Sequence, residues 1–165
     1  MTSLYLIIAF ALLYAWKKTR QFAIYFLPWL IFAVTYDSMR FYPNYLVNDI
    51  DVRGLYEAEK SLFGITASSS ADLQAIADHT NVMIPGEWFK VHHCGFADFM
   101  AGIFYLCWVP VPIAFALYLF LKKQYKWFMR FSWSFLVVNL IGFIGYYIHP
   151  ASPPWYVMNY GFEPI

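Results

Sequence analysis

Polar positions are scarce along much of this chain, and their placement leaves four nearly uninterrupted apolar runs: residues 2–16, 22–36, 96–121 and 131–148. A membrane-spanning helix needs about 20 predominantly apolar residues. The first run is short for that, unless Lys17 and Lys18 reach back to the interface along their own stems. Pro28 lacks an amide hydrogen and predicts a kink in the second run, Pro110 and Pro112 interrupt the third, and Gly142 and Gly145 in the fourth are spaced for close helix contact. Only a few residues separate the first two runs, which predicts a hairpin. A signal peptide is the alternative for the first run, but its bases follow the apolar stretch and no small-x-small cleavage site precedes them.

The pattern therefore predicts an all-α fold, a polytopic transmembrane bundle of four spans. The connection over residues 37–95 is too long to lack structure and predicts helices near the membrane surface. Leu55, Ala58 and Leu62 recur at helical spacing within 51–63. A second helix is expected over 71–79, capped by Ser70, and Ile84-Pro85-Gly86 reads as a turn before the third run.

Composition agrees with the membrane class: 61% of residues are hydrophobic and 13% charged, against roughly 25% charged in soluble domains. Disorder is excluded by the same figures, and two cysteines, Cys94 and Cys107, make no disulfide framework. Charge then adds a direction. Lys17, Lys18 and Arg20 fill one turn, Lys122, Lys123, Lys126 and Arg130 another, with no acid among them. Four alternating spans would put both turns on one side, which the positive-inside rule makes cytoplasmic. The 37–95 connection and the chain after His149 then face the periplasm of a bacterium or a eukaryotic lumen such as the Golgi. Nothing resembles a nucleotide-binding glycine loop or a nucleic-acid surface.

Three polar groups stand out. Asp37 and Arg40 are three residues apart, just before Pro43; they either pair at the membrane boundary or present a guanidinium fork to a phosphate. His149-Pro150-Ala151-Ser152-Pro153-Pro154-Trp155-Tyr156 forms a stiff, extended segment after the fourth run, either an interfacial anchor or the wall of a site. His92-His93-Cys94 with Asp98 lacks specific zinc spacing, so no metal is assigned and hydrogen bonding is expected of it.

Residues 37–43, the 81–100 stretch and above all the segment from His149 to Tyr156 resemble the inositol phosphorylceramide synthases and their bacterial relatives, membrane enzymes of the type 2 phosphatidic acid phosphatase superfamily. The resemblance covers nearly the whole chain. It implies six membrane helices, a lumenal or periplasmic site, and sphingolipid biosynthesis by transfer of inositol phosphate from phosphatidylinositol to a ceramide-like lipid, without cofactor. In that chemistry a histidine attacks phosphorus, a second histidine with its aspartate handles the proton, and basic groups hold the phosphoryl oxygens. The family's Ser-Leu-His and His-x-x-x-Asp motifs do not occur before Ile165, so no catalytic residue is assigned here. Gly161-Phe162-Glu163-Pro164-Ile165 reads as the middle of a continuing loop.

The resemblance thus implies an N-terminal part, inactive alone, whose partners are the enzyme's C-terminal helices and membrane lipids. Arg40, which matches the arginine of the superfamily's first motif, Asp37 and Pro43 are expected to bind the phosphate or substrate, with Arg40 holding the phosphate and Asp37 orienting it. His149, Pro150, Pro153, Pro154, Trp155 and Tyr156 are expected to shape the site. Ala33 stands where many of the phosphatases carry lysine, which favours a transferase over a lipid phosphate phosphatase. The rivals are a non-catalytic membrane assembly or lipid-binding protein and, more distantly, a transporter fragment.

Overall fold

A computed structural model describes residues 2–163. In chain order the elements are α1 (Thr2–Ala15), α2 (Arg20–Tyr25), α3 (Leu27–Ser38), α4 (Gly54–Phe63), β1 (Ile65–Thr66), α5 (Ser70–Ala75), β2 (Val82–Met83), α6 (Pro85–Val91), α7 (Gly95–Leu106), α8 (Pro110–Leu121), α9 (Tyr125–Ile148) and α10 (Pro154–Tyr160). Short 3-10 turns, Met39–Phe41 and Asn44–Leu46, follow α3.

This corrects the four-span all-helical bundle. Among the described residues one helix, Tyr125–Ile148, is long and apolar enough to cross a membrane. Its 24 residues reach about 36 Å at 1.5 Å each, beyond the roughly 30 Å hydrocarbon layer. The third run meets that test only if α7 and α8 are taken together as one broken span. The reason for the break is local: Pro110 and Pro112 remove the amide donors that would bond the carbonyls of Leu106 and Trp108, so a new helix starts at Pro110. The second run is likewise two helices, broken at Phe26, with Pro28 in the first turn of α3. The 14 residues of α1 and 12 of α3 give about 21 and 18 Å, short of a crossing.

The chain forms two compact units, the first Met1–Val47 with Cys107–Tyr147, the second Asn48–Leu106 with Ile148–Ile165. In the first unit α1 packs against α2 and α3, as the expected hairpin requires. Its core joins Trp29 of α3, Ala116 and Leu119 of α8, and Phe128 of α9. The buried Trp29 indole N–H donates to Ser132 Oγ at 3.0 Å. Rings then pair in order from the residue before α3 along α3 and α9: Phe26 with Phe128, Phe32 with Phe135, Tyr36 with Phe143. The two helices therefore run in the same direction. Among the described residues a methyl added at Gly142 or Gly145 would meet nothing within 4 Å, so neither glycine makes a close helix contact within this chain.

In the second unit, β1 and β2 form an antiparallel pair, Ile65 opposite Met83 and Thr66 opposite Val82. The expected helix over 51–63 begins at Gly54, because Asp51 Oδ1 accepts the Gly54 N–H at 2.6 Å and starts the helix there. The cap of α5 is Ser69, one residue before the expected Ser70; its hydroxyl accepts the Asp72 N–H at 3.1 Å. Pro85 opens a helix rather than a turn, and Glu87 in its third position accepts the N–H of Ile84 at 2.9 Å. Glu87, fully buried, also accepts the Tyr56 hydroxyl at 2.9 Å and the Ala77 N–H at 2.8 Å. Around it Val52, Tyr56, Ile84, Tyr156 and Val157 make the core. Burial, and next the bond to Glu87, pushes the Tyr56 phenol far above its ordinary range. The reading of 161–165 as a continuing loop rests partly on Pro164 and Ile165, which lie outside the described residues.

Candidate functional site

The end of α3 and the turn after it build the first site. The i,i+3 spacing brings Arg40 Nη2 to 3.4 Å from Asp37 Oδ1, the pairing that the spacing allows. Asp37 Oδ2 is held by both the N–H and the hydroxyl of Ser3, tying the start of α1 to the end of α3. Those Ser3 bonds, with the Arg40 charge adding to them, hold the Asp37 carboxyl below its ordinary value.

Arg40 therefore leans on an anchored carboxylate through one nitrogen, Nη2, which lies 3.4 Å from Oδ1 and donates to Oδ2 at 3.5 Å. Its side chain is 48% exposed, over the Phe41 ring at 5.0 Å. A guanidinium has five N–H donors in a planar fork, so most remain available to an oxyanion. Arg40, Asp37 and Tyr36 form one wall of a pocket of about 540 Å³, and Asn139, Gly142 and Tyr146 of α9 form the other. Phe143 and Val138 add apolar surface. Pro43 does not line this pocket; it precedes the turn Asn44–Leu46. The loop there is pinned to the end of α9, where the Tyr147 hydroxyl donates to the Tyr42 carbonyl at 2.5 Å.

His149 and the prolines belong to the second unit, where Asp51 organises them. Its N–H donates to the Pro150 carbonyl at 2.8 Å and its carbonyl accepts the Ser152 N–H at 2.9 Å, a single parallel bridge. Its Oδ2 lies 3.2 Å from His149 Nε2. Pro150 is buried, Pro153 stands just before α10 and Pro154 opens it. Tyr156 is buried, with its hydroxyl donating to the Glu163 carbonyl at 3.0 Å, while Trp155 is exposed. The extended segment is thus a clamped strand leading into a helix anchored in the core.

The neighbouring histidines turn to different carboxylates. His92 Nε2 is 3.6 Å from Asp72 Oδ1 and its ring stacks on Trp88; His93 Nδ1 is 3.3 Å from Asp98 Oδ2. Among the described residues no three His, Cys, Asp or Glu side chains come together as a metal site.

Sequence reasoning missed Asp51 and Asn139, and read Gly142, which lines the pocket, as a helix contact. Asp51 gives no local signal, since its partner His149 lies 98 positions on. Asn139 does give one: it is an amide inside an apolar run, where polar side chains mark function by default.

With this geometry in hand, comparison with known proteins is direct. The chain is 55% identical over all of its 165 residues to a phosphoinositol dihydroceramide synthase of Bacteroides thetaiotaomicron, and spans 49% of that relative's length. No solved structure matches it. Residues 77–165, more than half the chain, match the PAP2 superfamily, and the chain belongs to that superfamily.

Proposed function

We propose that this chain is the N-terminal part of a membrane phosphotransferase that moves phosphoinositol from phosphatidylinositol to a ceramide-like lipid. The observation that carries this reading is the Arg40 pocket: a half-exposed guanidinium, backed by an anchored carboxylate, on the wall of a cavity that is otherwise largely apolar and aromatic. A phospholipid headgroup has the matching character, a phosphodiester anion between a polar head and apolar tails. The pocket's size lies within the about 300–1,000 Å³ of small-molecule sites. The relative's name supplies the headgroup and the acceptor.

In the proposed reaction Arg40 binds the phosphoryl oxygens and offsets the charge that grows on them as the protein's nucleophile displaces diacylglycerol from phosphorus and, in a second step, as the acceptor oxygen displaces that nucleophile. Asp37, fixed by Ser3, keeps the guanidinium facing the pocket. The nucleophile and the proton-handling pair are contributed by another part of the full protein. His149, held by Asp51 in the second unit, is not the nucleophile of this proposal.

The first unit supports an orientation. Phe22 and Tyr25, just after the basic turn at Lys17, contact Phe120 and Tyr125, which flank Lys122 and Lys123, so both basic turns lie at one end. Along α9 the pocket residue Tyr146 is 18 positions beyond Phe128, about 27 Å at 1.5 Å per residue. One crossing by α9 would put the bases in the cytoplasm and the Arg40 pocket on the opposite, periplasmic side.

The test is to express the full natural gene in a host lacking this lipid, supply dihydroceramide and labelled phosphatidylinositol, and analyse the lipids by mass spectrometry. Labelled phosphoinositol dihydroceramide with release of diacylglycerol is expected. Release of inositol phosphate to water, or no product with both substrates present, contradicts the reading.

A further inference from the structure

We propose that Asn139 and Gly142 form a polyol subsite beside Arg40 and decide which headgroup the pocket accepts. The inference rests on the phosphotransferase reading and concerns headgroup selection rather than the reaction itself.

Glycine inside a helix costs about 1 kcal/mol relative to alanine. Among the described residues a side chain at Gly142 would meet nothing within 4 Å, so no close contact within this chain requires the glycine. It does line the pocket, so the missing side chain is part of the pocket's volume. Gly145, three residues on, is equally open and does not line it.

Asn139 lies on the same helix face as Gly142 by its i,i+3 spacing. Its Nδ2 donates to the Phe135 carbonyl at 2.7 Å. A carbonyl only accepts, which fixes the amide's orientation and leaves Oδ1 an acceptor on a residue that lines the pocket. Asp37, Tyr36 and Tyr146 supply further polar atoms, and Phe143 an aromatic face. A phosphate-linked polyol ring needs this combination: a cation for the phosphate, acceptors for several hydroxyls, and room for a ring. A small linear headgroup such as phosphoglycerol has fewer hydroxyls and no ring, so it draws less on the second and third.

Two readouts on the full-length protein in nanodiscs test this: affinity for the soluble probes glycerophosphoinositol and glycerophosphoglycerol, and transfer from phosphatidylinositol. The wild type is expected to prefer the inositol probe at least tenfold. Gly142→Leu should weaken its binding at least tenfold, and Gly145→Leu should leave it unchanged. Asn139→Ala, which opens space instead of filling it, and Asn139→Leu should erase the preference. A wild type without preference, or folded Gly142→Leu and Gly145→Leu variants with equal affinities, overturns the subsite. Transfer that proceeds with the same selectivity in Asn139→Ala also overturns it, and leaves the phosphotransferase reading standing. Selective binding lost in Gly142→Leu, without any transfer by the wild type, supports the subsite and refutes that reading.

Discussion

Replacing Glu87 by glutamine changes one oxygen to an NH2 group and almost no volume, so its effect isolates hydrogen bonding. Three donors converge on the carboxyl group: the Tyr56 hydroxyl and the Ala77 N–H on Oε1, and the Ile84 N–H on Oε2. In Glu87→Gln the amide keeps its oxygen toward the first two, and its NH2 then faces the Ile84 N–H, donor against donor. A buried N–H left without an acceptor costs about 1–3 kcal/mol, and two bonds reduced from a carboxylate to an amide acceptor lose about 1 kcal/mol each. The sum is about 4 kcal/mol, a large part of a typical 5–15 kcal/mol stability. Hydrogen exchange at Ala77 and Ile84 in the full-length protein reads this locally. At about 1.4 kcal/mol per tenfold, exchange there should accelerate by about three orders of magnitude if these amides exchange through opening of the second unit. Tyr56→Phe removes one donor and should give a smaller, non-additive effect. Exchange in Glu87→Gln within threefold of wild type would refute the claim that Glu87 holds this core together.

Three further outcomes follow from the same geometry. Ser132→Ala leaves the buried Trp29 N–H without its acceptor and should cost about 1–2 kcal/mol, read as a lowered Tm in detergent; an unchanged Tm contradicts it. Asp51→Ala should speed exchange at Gly54 and mobilise His149, whereas Asp51→Asn, which retains an oxygen for the Gly54 N–H, should spare Gly54; equal rates in both variants contradict the capping role. Burial raises the Asp78 carboxyl, but hydrogen bonds from Lys60 and Thr80 outweigh it and hold it below its ordinary value. A depressed aspartate contributes stability above its unfolded value of 3.8 that is lost as pH falls through the folded one. Lys60→Met should therefore destabilise by under about 1 kcal/mol at neutral pH and by less in acid, measured by denaturant titration at both; a penalty that grows in acid has the wrong sign.

Hydropathy located every apolar run yet did not disclose where the helices stop within them. Apolarity is the same on both sides of Phe26 and of residues 107–109, and the breaks come from missing proline amides, which the sequence shows but whose outcome depends on whether neighbouring groups bond the freed carbonyls. The start of α9 was hidden for the opposite reason. Lys126 and Arg130 look like a polar turn, although Arg130 lies over the Trp127 ring and the helix continues through both. The pairing of Asp37 with Arg40 was legible because it is local, within one turn. The link between Asp51 and His149, and the pocket between α3 and α9, were not, because each joins segments about 100 residues apart. Composition cannot express a β pair of two residues per strand, and the choice between Ser69 and Ser70 as cap lies within the ordinary uncertainty of a helix boundary.

The role proposed for Arg40 is to hold the substrate phosphate. Its most direct test compares kcat/KM for phosphatidylinositol between the full-length wild type and Arg40→Ala, with Arg40→Lys as the variant that keeps charge but loses the planar fork. A fall of at least about 100-fold is expected in Arg40→Ala, or about 2.7 kcal/mol of transition-state stabilisation, with a partial recovery in Arg40→Lys. An Arg40→Ala enzyme within threefold of wild type, folded and with its headgroup preference intact, would contradict it.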